Sequence, residues 1–202
     1  IADDIHFERG DPRNFEEKLS AFVASAPEGE REAALAVGGP IEGQHARLTK
    51  DSFVLSARQI QRQHNFTRVL LKNDFVALAR GAVECPPEAY LQLIPGGGDD
   101  ASATVIVGPN AGLGMATIRR IDGRWSAFES EGGHQSFSPA DLDEMALWRE
   151  MLPGSQYVTF EDVISEAGVV TAYRVFTRLS GGTPTLQTLA AVVEAARTRS
   201  AP

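Results

Sequence analysis

An α/β fold, a mixed sheet with helices on its faces, is what this sequence predicts, and three stretches predict it. Residues 69–71 form a short apolar run suited to a buried strand, and Phe75, Leu78, Ala79 and Ala82 then recur at helical spacing. Residues 33–37 are a second apolar strand, ended by Gly38-Gly39-Pro40. Residues 104–107 are a third, running into the glycine-rich bend at 108–114. In an open α/β sheet ligands bind at the carboxyl ends of the strands. Asn73 and Asp74 sit at one such end, where a strand stops and a helix starts.

The remaining elements follow in chain order. Ile5 and Phe7 alternate as in a short strand. Asn14 is placed to cap a helix with Phe15, Leu19, Phe22 and Val23 on its apolar face, and Pro27 and Gly29 stop it. Residues 41–55 read as irregular or hairpin, with Ala46 and Leu48, then Phe53 and Leu55, alternating. Ser56 and Gln59 make a capping box for a short helix ending near His64. Beyond the strand and helix at 69–82, Pro86-Pro87 and the run at 95–100 are breakers, with 90–94 expected as a strand between them and 96–101 as an exposed turn. Residues 115–118 and 125–128 are expected to pair across the Asp122-Gly123 turn, a strong hairpin signal. Residues 130–137 are a polar loop. Ser138 with Pro139 opens a helix whose expected buried stripe is Leu142, Met145, Trp148 and Leu152. Thr159 and Asp162 cap a turn containing Glu161, residues 169–176 are helical, and Thr183-Pro184 opens a final helix.

With 202 residues, one large or two small domains are possible. A net charge of -8 argues against a nucleic-acid surface, which needs a basic stripe. No apolar run is long enough to span a bilayer and no secretory signal is visible, so no membrane partner and a cytoplasmic location are expected. Cys85 is alone, which rules out an internal disulfide and fits a reducing compartment. Ile1 is not an initiator methionine, so the chain is expected to start inside a longer one.

Three groups carry candidate chemistry. Asp74 could cap the helix that follows it, the commoner role for such an Asp, or take a proton from a bound hydroxyl. The bend containing Gly112 and Gly114 could offer N–H groups to a phosphate, or be a tight hairpin; no capped helix follows it, so it is neither a P-loop nor a dinucleotide fingerprint. In Glu131-Gly-Gly-His134 a carboxylate and an imidazole can face one concavity and bind hydroxyls, as a sugar requires. The same four residues could instead be a surface turn or half a metal site. No metal site is expected, because no Cys or second His lies at ligand spacing.

Glu131-Gly-Gly-His134, Asn73-Asp74-Phe75, Leu35-Ala-Val-Gly-Gly-Pro-Ile41 and the bend at 108–114 occur in the order seen in bacterial glucokinases, ATP-dependent hexose kinases of the ribonuclease-H-like/actin-like ATPase superfamily. Glu161-Asp-Val-Ile-Ser165, with Gly168 and Tyr173-Arg174, also resembles that family, so the resemblance runs from about the first helix to about Arg178. It implies that Asp74 is the general base toward the 6-hydroxyl of glucose. Asn73, Glu131, His134 and Glu161 would hydrogen-bond the other hydroxyls, and Gly112 and Gly114 would approach the phosphates of ATP, with Mg2+ bridging them. It requires Asp74 to share a pocket with Glu131 and His134. It further implies a sugar-side lobe over residues 1–137 and a helical part of the larger lobe over 138–202.

The chain departs from the family on the nucleotide side. The family's glycine-rich Asp…Gly-Gly-Thr hairpin has no match here, and its C-terminal nucleotide segments are expected to be missing. Asn110-Ala111 stands where the family has Gly-Thr, Thr49-Lys50 where it has Thr-Asn, and Phe53 where it has tryptophan. The alternative is therefore a sugar-binding or regulatory module of the same fold that has lost ATP chemistry, and a third reading is a partner-binding domain whose polar loops are only turns. Sheet edges left unpaired at the chain ends would favour a homodimer.

Overall fold

The computed structural model describes residues 12–26, 29–48, 53–96, 102–109 and 111–198. The expectations for Ile5 and Phe7, Pro27, Thr49-Lys50, residues 97–101 and Asn110 lie outside them. The chain divides into two compact units, residues 1–93 and 94–202.

In the first unit, helix α1 (Pro12–Ser25) starts ahead of Asn14, so Asn14 lies in the first turn and does not cap it. Pro12 suits that first position, because a proline there sacrifices no intrahelical hydrogen bond. Phe15 and Val23 are buried as expected, whereas Phe22 is exposed. Strand β1 (Glu32–Val37) is followed by a small antiparallel sheet of β2 (Ile41–Glu42), β3 (His45–Arg47) and β4 (Val54–Ser56), in which buried Ala46 faces buried Leu55. Helix α2 (Ala57–Gln63) starts as read, with Ser56 Oγ accepting the Gln59 N–H. Strand β5 (Arg68–Asn73) then pairs in parallel with β1, from Glu32 opposite Arg68 to Val37 opposite Asn73, and helix α3 (Asp74–Glu84) leaves its carboxyl end. Phe15, Val37, Ala46, Leu55, Ala57, Ile60 and Leu71 form the core of this unit. The strand expected at 90–94 does not form. A short 3-10 turn at Pro87–Ala89 gives way to irregular chain in which Tyr90, Leu91, Leu93 and Ile94 are exposed.

In the second unit, β6 (Thr104–Pro109), β7 (Leu113–Ile121) and β8 (Arg124–Ser130) form an antiparallel meander. The Asp122-Gly123 turn has φ values of 50° and 75°, the doubly left-handed geometry that matches the twist of a two-residue hairpin. Leu113, Ala116 and Ile118 of β7 are buried.

Helix α4 (Leu142–Met151) begins later than Ser138-Pro139 suggested, because Asp141 is the residue that accepts the Glu144 N–H. The buried position is Leu147, at 3% exposure, whereas Leu142 of the expected stripe stands 86% exposed. Helix α5 (Phe160–Ile164) carries the expected Thr159/Asp162 capping box, and α6 (Glu166–Leu179) follows from a Ser165 cap. A Cβ on Gly168 would run into the Asp162 and Val163 carbonyl oxygens, so this tight corner needs glycine. Helix α7 (Leu189–Thr198) opens at Thr188, whose Oγ1 accepts the Ala191 N–H, and not at Pro184. The segment ahead of it is tied down by the Thr185 N–H donating to Tyr173 Oη, which holds that phenol below its ordinary pKa.

The expected α/β class holds, with the parallel and antiparallel pairings of the described residues divided among three small sheets. Among the described residues no helix is long and apolar enough to cross a membrane.

Candidate active site

At the carboxyl ends of β1 and β5, Asn73 and not Asp74 is the helix cap. Asn73 Oδ1 accepts the N–H groups of Phe75, at 2.9 Å, and Val76, at 3.1 Å. Its side-chain amide also donates to the Gly39 carbonyl at 3.5 Å, tying the two strand ends together. Asp74, the first helical residue, keeps a half-buried carboxylate. One oxygen shares the Phe75 N–H at 2.9 Å, and the other points at Gly38, where a Cβ would come within 3.2 Å. Because Asn73 satisfies the first turn of α3, Asp74 is relieved of the capping role and stands as a fixed acid at a strand end.

In the second unit, β8 runs into a 3-10 turn at Gly132–His134, preceded by Glu131. A Cβ on Gly133 would strike the Leu113 carbonyl oxygen, and one on Gly132 would lie 2.7 Å from Met115 Sδ. The two glycines thus seat the turn directly on the start of β7. Beyond the turn, residues 135–137 pair with 158–160: the Phe137 N–H donates to the Val158 carbonyl at 2.8 Å, and the Phe160 N–H to the Gln135 carbonyl at 3.0 Å. That short pairing delivers Glu161, in the first turn of α5, to the same place.

Glu161 Oε2 accepts the Leu113 N–H at 2.8 Å. His134 lies between two acids, with Nδ1 3.0 Å from Glu131 Oε2 and Nε2 3.8 Å from Glu161 Oε2. The second distance is too long for a hydrogen bond. Glu161 is the most shielded of the three side chains, at 31% exposure against 50% for His134 and 78% for Glu131. Two carboxylates and an imidazole gathered this way form a fringe of acceptors and donors suited to hydroxyl groups.

Sequence reading placed Glu131, His134 and Glu161 on one ligand, and the structure brings these three together. It also brings Gly112 to them: the carboxylate of Glu161 lies against it. Gly114, by contrast, sits in the ladder opposite Gly108. The N–H of Leu113, between the two glycines, is committed to Glu161. Asn73 and Asp74 form a separate grouping with Gly38 and Gly39 in their own unit. Leu113 went unseen in the sequence because a backbone donor leaves no side-chain signal. Gly38, beside the Asp74 carboxylate, and Gly133, against the Leu113 carbonyl oxygen, are the close approaches that a side chain would block.

The family model described as Glucokinase matches residues 5–202. A glucokinase of Hahella chejuensis is 28% identical over 191 residues, covering 94% of this chain and 59% of the relative. A glucokinase of Saccharophagus degradans is 31% identical over 152 residues, 75% of this chain and 47% of the relative. The crystal structure of a glucokinase from an Antarctic psychrotroph superposes with a TM-score of 0.70 at 26% identity, over 93% of this chain and 57% of that one. The chain therefore spans about half the length of the relatives it matches. These likenesses place the fold in the actin-like ATPase type.

Proposed function

This chain belongs to the glucokinase family, and from that premise we propose that it serves the transfer of the ATP γ-phosphate to the 6-hydroxyl of glucose. Asp74 is the general base. Its carboxylate is held at the strand end by the Phe75 N–H, next to the open face of Gly38, with capping left to Asn73. Positioning of this kind is the larger part of what a phosphoryl transfer asks of a protein. As the hydroxyl oxygen attacks, its proton passes to Asp74. Asn73, Glu131, His134 and Glu161 receive the other hydroxyls and orient the sugar. The observation that carries the reading is the convergence of Glu131, His134 and Glu161 from distant segments.

On the nucleotide side the chain offers the backbone of the bend holding Gly112 and Gly114, which we assign to the approach of the phosphates. ATP supplies the transferred group, and magnesium arrives with it as part of the substrate. Residues 1–137 belong to the sugar-side lobe and 138–202 to the larger lobe on this reading. A cytoplasmic, glycolytic role and a homodimer complete it.

A coupled assay with glucose, ATP and magnesium tests the proposal. Turnover that is abolished by Asp74→Ala supports it. No turnover, together with glucose titrations that Glu131→Ala and His134→Ala leave unchanged, would overturn it.

A further inference from the structure

The geometry points to Gly112 as a positioning residue for the sugar-side acid Glu161, an assignment that rests on the hexose-binding reading above. A Cβ built on Gly112 would lie 2.6 Å from Glu161 Oε2, 3.0 Å from its Cδ and 3.4 Å from Oε1. All three distances are to one carboxylate. The absent side chain is thus a socket, and the carboxylate fills it.

Inside that socket Oε2 accepts the Leu113 N–H at 2.8 Å. Leu113 is itself rigid: buried, paired with Pro109 across the hairpin, and braced by Gly133 against its carbonyl. A carboxylate held by a fixed backbone donor loses little further freedom when a ligand arrives, which is how preorganisation raises affinity. With one acceptor site of Oε2 taken by Leu113, the rest of the carboxylate's acceptor capacity is left for a hydroxyl. The hairpin bend, read from sequence as a phosphate loop or a tight hairpin, therefore also sets the position of a sugar ligand.

The backbone at Gly112 does not have the positive φ recorded for the turn glycines. Alanine is therefore tolerated by the main chain there. The three nearest atoms in its way belong to the far end of a flexible side chain, which can swing aside. Gly112→Ala should leave the fold intact and evict Glu161 from Leu113.

The test is calorimetric titration of the full chain with glucose, and separately with magnesium ATP, for Gly112→Ala, Glu161→Ala and the double variant, with melting curves for each. Removing a charged hydrogen-bond acceptor weakens a ligand by about tenfold or more, so Glu161→Ala should raise the glucose Kd by that factor. Gly112→Ala should raise it several-fold, and should add nothing in the Glu161→Ala background, because there is then no carboxylate to displace.

Unchanged glucose binding in Gly112→Ala overturns the inference. So does full additivity of the two substitutions, a loss confined to ATP, or a Gly112→Ala chain that fails to fold. If Glu161→Ala itself leaves glucose binding unchanged, the assignment of Glu161 fails and the inference falls with it.

Discussion

The two polar groupings are built in opposite ways. Asn73 and Asp74 are neighbours in sequence, and their geometry is nearly complete within four residues: a strand ends, Asn73 caps the Phe75 and Val76 N–H groups, and Asp74 is left as the first helical acid. Only Gly38 and Gly39, brought alongside by the parallel pairing of β1 and β5, come from elsewhere. Glu131, His134 and Glu161 instead depend on three segments meeting: the start of β7, the 3-10 turn after β8, and the first turn of α5. A locally encoded site tolerates distant substitutions, whereas an assembled one inherits the sensitivity of every contact that assembles it.

The sharpest way to break that comparison is at Asp74. Asp74→Asn preserves shape and removes the proton acceptor, so kcat in the coupled assay should fall by about 10²–10⁴-fold, the range for general-base catalysis, while glucose binding by calorimetry changes little. A comparable loss of sugar affinity would show that Asp74 is a ligand group and not a base.

Gly133→Ala probes the assembled grouping without touching a polar side chain. Its methyl would have to displace the Leu113 carbonyl. Overpacking of this kind costs about 1–3 kcal/mol, so thermal unfolding should shift down by several degrees. Glucose affinity should drop as well, since the turn carrying Glu131 and His134 lifts off β7. A stable Gly133→Ala chain with full affinity would show that the turn does not need its seat.

The smallest expected effect is at Asn73. Loss of an N-cap costs about 1 kcal/mol, so Asn73→Ala should lower the midpoint of chemical denaturation slightly. Asn73→Asp, which keeps an acceptor, should restore it. If Asn73→Ala is neutral while Asp74→Ala destabilises α3, the cap belongs to Asp74 after all.

How much of this was legible depended on how far apart the interacting groups lie in the chain. Helix α3, the Asp122-Gly123 hairpin and the Thr159 capping box could be read directly, since each is governed by contacts within a few residues. The starts of α4 and α7 fall later than Ser138-Pro139 and Thr183-Pro184 suggest because a second capping residue lies a few positions on from each opening, and Asp141 and Thr188 supply the caps. The stretch at 90–94 looked like a strand because apolar character alone cannot say whether a ladder is available.

Sequence by itself determined the α/β class, the family, and the identities of the polar residues, because those follow from local periodicity and short motifs. Only the tertiary structure decided that Glu161 binds the Leu113 N–H and that Gly112 makes room for it. The reason is physical: a backbone donor and an empty volume have no side chain to announce them, and they acquire meaning only when the chain folds another residue into place.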